Sequence, residues 1–149
     1  MAIQFQMRRG TTAQNDAFIG AAGEMTLDTA KTEIRVHDGV TAGGHKMPTL
    51  VAVQYPSAEN GWEWYRKYSD GWVEQGGVTS GAPASVMLPV EMADTNYSIM
   101  GCSRNAASGS GWFSADTITT TGFSCNLQYG TGQQAAGTSI QWEVRGIAA

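Results

Sequence analysis

The histidines and cysteines are the residues best suited to nucleophilic or metal chemistry, and the sequence keeps them apart. His37 and His45 lie in the first third of the 149 residues, whereas Cys102 and Cys125 lie far downstream. A serine or cysteine nucleophile needs a histidine base within hydrogen-bond reach. No G-x-S-x-G, H-E-x-x-H or phosphate-loop pattern occurs in the chain. The sequence therefore indicates a protein that is not an enzyme.

Two groupings have some of the residues of a metal site, but neither has enough ligands. His37-Asp38 with His45 is the first, and we expect His37 to stand at the end of a strand instead. Asp94 with Asn96 is the second, and it lacks the ligand count of a calcium loop. We therefore predict that the protein uses no metal and no cofactor.

The remaining acids and thiols also have plainer explanations. Asp16, Glu24 and Asp28 could pair as glycosidase carboxylates, but nothing in the sequence places them around a sugar. We expect them in turns and on the surface. Cys102 and Cys125 both fall in strand-like runs, so we predict two buried, reduced thiols that face the core.

Two polar, glycine-containing loops are the best candidates for binding. They are predicted over Asn105–Gly111 and Gly130–Gly137, and Trp112 and Tyr129 flank them. Recognition surfaces combine rigid aromatic rings with small polar residues, and a ring can stack on a sugar while serine and asparagine reach its hydroxyls. The alternative is that the loops are solvated connectors and the aromatics are core. The candidate contacts are Asn105, Ser108, Ser110, Trp112, Tyr129, Thr131, Gln133 and Gln134, with Arg104 as a contact to an acidic glycan.

The composition favours short strands and many turns. The chain has 19 glycines and only 15% charged residues, against about 25% charged residues in ordinary domains. A net charge of −4 gives no electrostatic case for binding nucleic acid or an anionic membrane. No apolar run reaches the roughly 18 residues of a membrane span. Residues 1–10 contain no apolar signal-peptide core, so we expect synthesis in the cytosol and no membrane insertion.

The clearest local element is a β-hairpin over Asn60–Gly77. Alternation places three aromatic residues and an arginine on one face, and Glu63, Tyr65 and Lys67 on the other. We expect the tryptophans of the hairpin to be packing residues. Ser69-Asp70-Gly71 forms the turn, and Gly76-Gly77 ends the second strand. The face consists of Trp62, Trp64, Arg66 and Tyr68.

Further alternating strands follow the hairpin and predict an antiparallel β-sandwich. A glycine, serine and proline loop is expected over Val78–Ser85. The predicted strands are Val86–Val90 with Val86, Leu88 and Val90 inward, a central strand Tyr97–Arg104, short strands Trp112–Ala115 and Asp116–Thr121, Gly122–Tyr129 with Phe123, Cys125, Leu127 and Tyr129 inward, and Ser139–Gly146 with Ile140, Trp142 and Val144 inward.

The N-terminal segment alternates in shorter strands. Thr11 or Thr12 is expected to cap a short helical turn over Ala13–Ile19. The predicted strands are Ala2–Arg9 with Ile3, Phe5 and Met7 on one face, Glu24–Asp28 with Met25 and Leu27 inward, and Glu33–Asp38 with Ile34 and Val36 inward.

Two stretches resemble bacteriophage proteins. W-Y-R-K-Y-S-D-G-W-x-E-Q-G-G resembles the opening hairpin of a distal β-sandwich domain in tail-fibre proteins. R-G-T-T-A-Q, F-x-G-A-A, E-x-T-x-D-T and V-H-D-G-x-T-A-G-G, within residues 3–47, are similar to the N-terminal module of phage receptor-binding proteins of the major tropism determinant family. That resemblance implies a small β-prism built by three chains, although His45-Lys46-Met47-Pro48 departs from the family's apolar continuation.

A segment of about 45 residues with so few apolar side chains cannot close a core alone, so sharing its apolar faces between chains is the remaining way to stabilise it. We thus expect an all-β homotrimer. Its divisions are a trimerising or anchoring β-prism-like module at 1–50, a linker at 51–59 and an antiparallel β-sandwich tip domain at 60–149.

The resemblances imply a tail-fibre receptor-binding protein of the virion that attaches to a bacterial surface receptor, a polysaccharide by preference, and contacts other tail or baseplate proteins. One alternative is a structural fibre or decoration component without a receptor of its own. Another is an enzyme such as a depolymerase fragment, against which the short chain argues.

Overall fold

The computed structural model describes residues 6–81, 83–104, 112–128 and 138–149, which form twelve strands and one short helix. The fold is all-β. The chain divides into two compact units. The N-terminal unit comprises Met1–Leu50 with Tyr68–Asp70, and the C-terminal unit comprises Val51–Lys67 and Gly71–Ala149. The division into independently folding domains stays a prediction.

The N-terminal unit contains one four-stranded sheet in the order β1-β2-β3-β4. β1 runs parallel to β2, and the other neighbours are antiparallel. Thr11 caps the helix, as predicted, through a capping box with Gln14. The elements are β1 (Arg8–Gly10), α1 (Thr12–Ala17), β2 (Met25–Asp28), β3 (Glu33–Val36) and β4 (His45–Met47).

The prediction of which face of this sheet is buried is wrong. Thr26 and Asp28 of β2 are fully buried, and so is Arg35 of β3, whereas Met25 is 46% exposed. Alternation was read correctly, but the covered side is the polar one because α1 and the loops after it pack there. The apolar side remains partly open and consists of Met25, Leu27, Ile34, Val36 and Met47.

A buried ion pair organises the covered side. Arg35 donates from Nη2 to Asp28 Oδ2 at 2.8 Å, and both side chains are fully buried. Its Nη1 donates to Asp16 and to the Gly43 carbonyl. Burying a charge is tolerated only when it is paired in this way. The prediction that Asp28 lies on the surface is therefore wrong.

The C-terminal unit contains two antiparallel sheets. The five-stranded sheet has the order β5-β6-β7-β12-β9, and the three-stranded sheet has the order β10-β11-β8. The strands are β5 (Leu50–Gln54), β6 (Trp64–Tyr68), β7 (Trp72–Ser80), β8 (Ala84–Met87), β9 (Ser98–Ser103), β10 (Trp112–Thr119), β11 (Gly122–Gln128) and β12 (Ser139–Ile147).

One hydrophobic core lies between these sheets. β11 contributes Phe123, Cys125 and Leu127, and β12 contributes Ile140, Trp142 and Val144, all with less than 4% exposure. The predicted inward residues of these two strands are thus confirmed wherever the structure describes them, and Tyr129 lies outside the described residues. The Phe123 and Trp142 rings meet edge to face at 5.9 Å, a favoured aromatic geometry.

Several predicted strand limits differ from the observed ones. β7 continues through Gly76-Gly77 to Ser80 because β12 pairs with it along its whole length, so Val78–Ser85 is not one loop. β9 is an edge strand rather than a central one. β10 is one strand whose register shifts between Asp116 and Thr119. β8 ends at Met87, and β5 occupies much of the expected linker.

Two further expectations fail for side chains. Cys125 is buried as predicted, but Cys102 is exposed, because it points outward from the edge strand β9. Trp62 precedes β6 and is 52% exposed, so it is not a packing residue of the hairpin. The part of the chain that the structure describes contains no helix long and apolar enough to cross a membrane.

Candidate functional site

Two of the predicted receptor contacts can be placed, Trp112 and Arg104, and Arg104 is exposed just after β9. Trp112 begins β10 opposite Gln128, and its side chain is 61% exposed. It is therefore available at the surface and is not core. The other seven lie outside the described residues, and their role in binding stays a prediction: Asn105, Ser108, Ser110, Tyr129, Thr131, Gln133 and Gln134.

The residues considered for metal or acid–base chemistry have structural partners. The Gly20 amide donates to His37 Nδ1 at 3.2 Å, so His37 Nε2 donates to Thr26 Oγ1 at 3.0 Å. His45 and Asp38 contact each other at 3.2 Å on the surface. Within the described ranges, no group of three or more His, Cys, Asp or Glu side chains is arranged to hold a metal ion.

Carboxylate hydrogen bonds in the N-terminal unit stabilise its loops. The Thr41 hydroxyl, with the Thr41 and Val40 amides, lowers the pKa of Asp38. A hydrogen bond from Arg35 lowers the pKa of Asp16. Each acceptor is thereby held in its charged form. These carboxylates serve as turn and ion-pair groups, and their geometry does not form an acid–base pair around a substrate.

A surface in the C-terminal unit has the better shape for binding. Trp64 of β6 lies opposite Gly76 of β7, Gly76 lies opposite Glu143 of β12, and Glu143 lies opposite Met100 of β9. Directly paired residues share a face of a sheet. This row lies on the outer side, since Trp142 and Val144, which flank Glu143 in β12, point into the core.

Gly76 creates the space that Trp64 occupies. A Cβ at position 76 would lie 2.7 Å from Trp64 Nε1 and 2.7 Å from the Trp142 carbonyl oxygen. Only a glycine lets the indole lie across the sheet backbone at this point. The predicted role of Gly76 as a strand end was wrong, and its observed role is to seat an aromatic ring.

Three shallow clefts adjoin this indole. One, of about 250 Å³, contains Met100, Cys102, Gln141 and Glu143 along its wall. A second, of about 200 Å³, adds Trp62 and Arg104 and also includes Gln141. A third, of about 230 Å³, adds Tyr55 and Pro56. Trp64 lines all three clefts. We call the set Trp62, Trp64, Met100, Arg104 and Gln141 the Trp64 surface.

The turn before β6 places the second tryptophan of this surface. Gly61 and Trp62 both have φ of +66°, and the Glu63 amide donates to the Asn60 carbonyl at 3.3 Å. Positive φ is unfavourable for a bulky side chain. Strained residues of this kind cluster at functional sites, which makes Trp62 a candidate.

Several polar groups of the Trp64 surface have hydrogen-bonding capacity to spare. Within the described residues, no hydrogen bond involves Trp64 Nε1, the Gln141 amide group or the Arg104 guanidinium. Glu143 is instead engaged by Arg145. The surface thus offers an aromatic ring beside donors and acceptors that have no partner among the described residues.

Sequence reasoning missed this surface. It placed Trp64 on the correct face of the hairpin but assigned that face to packing. The available signal was Gly76, which the hairpin register sets opposite Trp64. A tryptophan opposite a glycine in a sheet indicates a ring lying over the backbone.

Comparison with known proteins gives the family relationship of the N-terminal segment. Residues 5–41 match the major tropism determinant N-terminal domain. The segment contains β1, α1, β2 and β3. The sequence-based resemblance to this module is confirmed.

A relative and a solved structure extend the similarity beyond that module. A tail fiber receptor-binding protein of Bordetella phage BPP-1 is 33% identical over 129 residues, covering 78% of this chain and 34% of that protein. The chain thus spans about a third of that relative's length. A C-terminal fragment of the R2 pyocin fiber of P. aeruginosa matches 97% of this chain and 37% of its own, with a TM-score of 0.54 and 16% identity, which shows a shared fold.

Proposed function

We propose that this protein is part of a phage tail fibre and attaches the virion to a receptor on the bacterial surface. The observation that carries the proposal is the 33% identity to a phage tail fiber receptor-binding protein. The matched N-terminal domain and the fibre-like fold support it. The protein would then work in the virion tail, beside other tail or baseplate proteins, after synthesis in the host cytoplasm.

We infer that the fibre is a homotrimer. The support is the apolar face of the N-terminal sheet, where Met25 and Met47 are 46% and 52% exposed. An exposed apolar face on a small sheet is stabilised by burial, and contact with further copies of the chain would bury it.

Substituting Met25→Glu tests this assembly. We expect light scattering to give three times the 15.8 kDa chain mass for the parent and a lower mass for the variant, because a charge would be buried at the interface. Met87→Glu is the matched control, since Met87 is 79% exposed on the other unit. A parent that scatters as a single chain contradicts the trimer.

Attachment is tested with the intact protein on cells. Fluorescently labelled protein is added to a panel of bacterial strains and to mutants with truncated surface polysaccharides. We expect saturable binding to some strains, loss of binding in the polysaccharide mutants, and competition with phage adsorption. Absence of binding to every strain contradicts receptor binding and favours a structural fibre component. Release of reducing sugars from purified polysaccharide would instead indicate an enzyme.

A further inference from the structure

We propose that the Trp64 surface binds a pyranose ring of a bacterial surface saccharide, with the ring stacked on the Trp64 indole. That the saccharide comes from a bacterial surface rests on the proposed function, whereas the location of the binding site is argued from the geometry of the surface. This location differs from the polar loops that the sequence favoured. It places the receptor contact on the outer face of the five-stranded sheet of the C-terminal unit.

The ligand class follows from the mixture of groups at the surface. The face of an aromatic ring is apolar and carries partial negative charge, so it suits the C–H groups on one side of a pyranose. The hydroxyls around a sugar edge need both donors and acceptors. Gln141 provides both, and Trp64 Nε1 and Arg104 provide donors. Binding sites generally combine an apolar wall with a few placed polar groups in this way.

Rigid elements hold the aromatic ring. Trp64 stands on β6, whose neighbour β7 is itself paired with β12 along nine residues. Gly76 leaves no side chain between the indole and the sheet. Groups on paired strands lose little conformational entropy when a ligand binds, which favours affinity.

The dimensions match a short saccharide. The 250 Å³ cleft beside Gln141 is smaller than the roughly 300–1,000 Å³ of pockets for drug-sized ligands. It therefore suits one sugar ring. The second cleft, of about 200 Å³, is also lined by Trp64 and Gln141. Trp62, held at its strained backbone position, lines this second cleft and provides an aromatic wall for the next sugar.

Another copy of this chain is the competing occupant of the surface. Exposed tryptophan and methionine also occur at protein interfaces. The polar groups that lack a partner among the described residues favour the sugar, because an interface between copies would bury them and each would then need a partner on the other copy. The experiment below separates the two by measuring oligomer mass together with binding.

Three variants of the full-length protein test the site. Trp64→Ala removes the stacking ring, and Gln141→Ala removes the amide group. Trp112→Ala tests the competing loop site, because Trp112 is equally aromatic and more exposed but lies on the other sheet. Each variant is first checked for unchanged oligomer mass and melting temperature. Gln141 is an exposed strand residue, so its substitution keeps the test valid even where Trp64→Ala fails to fold.

Two probes are used. The first is the oligosaccharide released from a strain that the parent binds. The second, independent of the cell assay, is a panel of methyl glycosides of glucose, galactose, mannose, rhamnose and N-acetylglucosamine. Indole N–H signals of the five tryptophans are followed by NMR during each titration. We expect the Trp64 signal to move, and affinity to fall about tenfold or more for Trp64→Ala, as for a truncated aromatic anchor. For Trp112→Ala we expect the affinity to fall by less than about threefold.

The other outcomes contradict either the inference or the proposed function. If saccharides move only the Trp112 signal, or if Trp112→Ala alone weakens binding, the loops are the site. If Trp64→Ala or Gln141→Ala lowers the oligomer mass, the surface is an interface between copies. If the parent binds cells and both variants bind equally well, the inference fails while the proposed function stands. If the parent binds no cells, the proposed function fails, and the methyl glycosides still decide whether Trp64 contacts sugar.

Discussion

The two units of this chain bury opposite kinds of side chain. The N-terminal sheet covers its polar face, so Asp28, Glu33 and Arg35 are all less than 2% exposed while Met25 and Met47 stay open. The C-terminal unit encloses Leu127, Ile140 and Val144, which have no exposure at all. A hydrophobic core stabilises a unit by itself, whereas a polar one depends on satisfied pairs and leaves the apolar side for another partner.

We expect this difference to make the two units respond to different perturbations. Their responses can be followed separately, because all five tryptophans, at positions 62, 64, 72, 112 and 142, belong to the C-terminal unit. Tryptophan fluorescence therefore reports the C-terminal unit. Methyl NMR signals of Ile34 and Ile140 report the N-terminal and C-terminal units respectively.

Removing the buried charge should have the largest effect. Arg35→Met leaves the Asp28 carboxylate buried without its ion pair, and breaking such a pair costs about 3–5 kcal/mol. We expect the urea midpoint reported by the Ile34 signal to fall, while tryptophan fluorescence at that urea concentration still reports a folded C-terminal unit. Arg9→Met, at an exposed position, is the control, with a change within about 0.5 kcal/mol. An unchanged urea midpoint for the Arg35 variant would show that the polar core contributes little.

Truncating the apolar core should have the next largest effect, in the other unit. Leu127→Ala leaves a cavity at a fully buried site, which costs about 2–5 kcal/mol. We expect fluorescence and the Ile140 signal to report earlier urea unfolding. Met87→Ala, at a 79% exposed position, provides the comparison. Equal midpoints for the two variants would contradict the assignment of the core.

Acid should weaken the N-terminal unit. Burial alone would raise the pKa of Asp28, but hydrogen bonds from Thr12, Arg35 and the Ala30 and Lys31 amides together lower it, and a hydrogen bond from Arg35 lowers the pKa of Asp16. Depressed carboxyl pKa values contribute stability above the unfolded value of about 3.9, and this stability is lost as pH falls through the folded values. We expect the Ile34 urea midpoint to fall from pH 5 downwards and to be constant above it. A midpoint that rises on acidification would contradict this sign.

The helix cap should give the smallest change. Thr11 Oγ1 accepts from the Gln14 amide, and Gln14 Oε1 accepts from the Thr11 amide at 2.9 Å. Thr11→Ala is expected to cost about 1 kcal/mol and to speed hydrogen exchange at the Asn15 amide, which bonds to the Thr11 carbonyl. Thr11→Ser should restore the protection, because it keeps the capping oxygen. Equal exchange rates in all three proteins would show that the capping box does not stabilise the helix.

Local signals explain what the sequence could predict. Asp70-Gly71 fixed the hairpin turn, with Gly71 at φ +91°, and the Thr11 cap was recognisable from residue type. The inward residues of β11 and β12 followed from alternation, because both strands carry large apolar side chains on one side only. These features depend on neighbours within a few residues.

Long-range packing explains the errors. In β2 and β3 alternation gives two faces but does not say which of them a helix will cover, so Met25 was placed inside and Asp28 outside. The place of β9 in the sheet depends on its pairing with β12, about forty residues later, and this register sets Cys102 opposite Gln141 on the outer face. The Trp64 surface likewise requires the register of four strands, which no local pattern contains.

The unequal surroundings of the two thiols make the protein easy to label. Cys102 lies at the rim of the cleft beside Trp64 and is exposed, whereas burial raises the pKa of Cys125 and keeps its thiol protonated. Alkylating reagents attack the thiolate, so a maleimide dye would attach at Cys102 alone in the folded protein. The native sequence thereby supplies a single attachment point for an optical sensor in the cleft where a saccharide is proposed to bind.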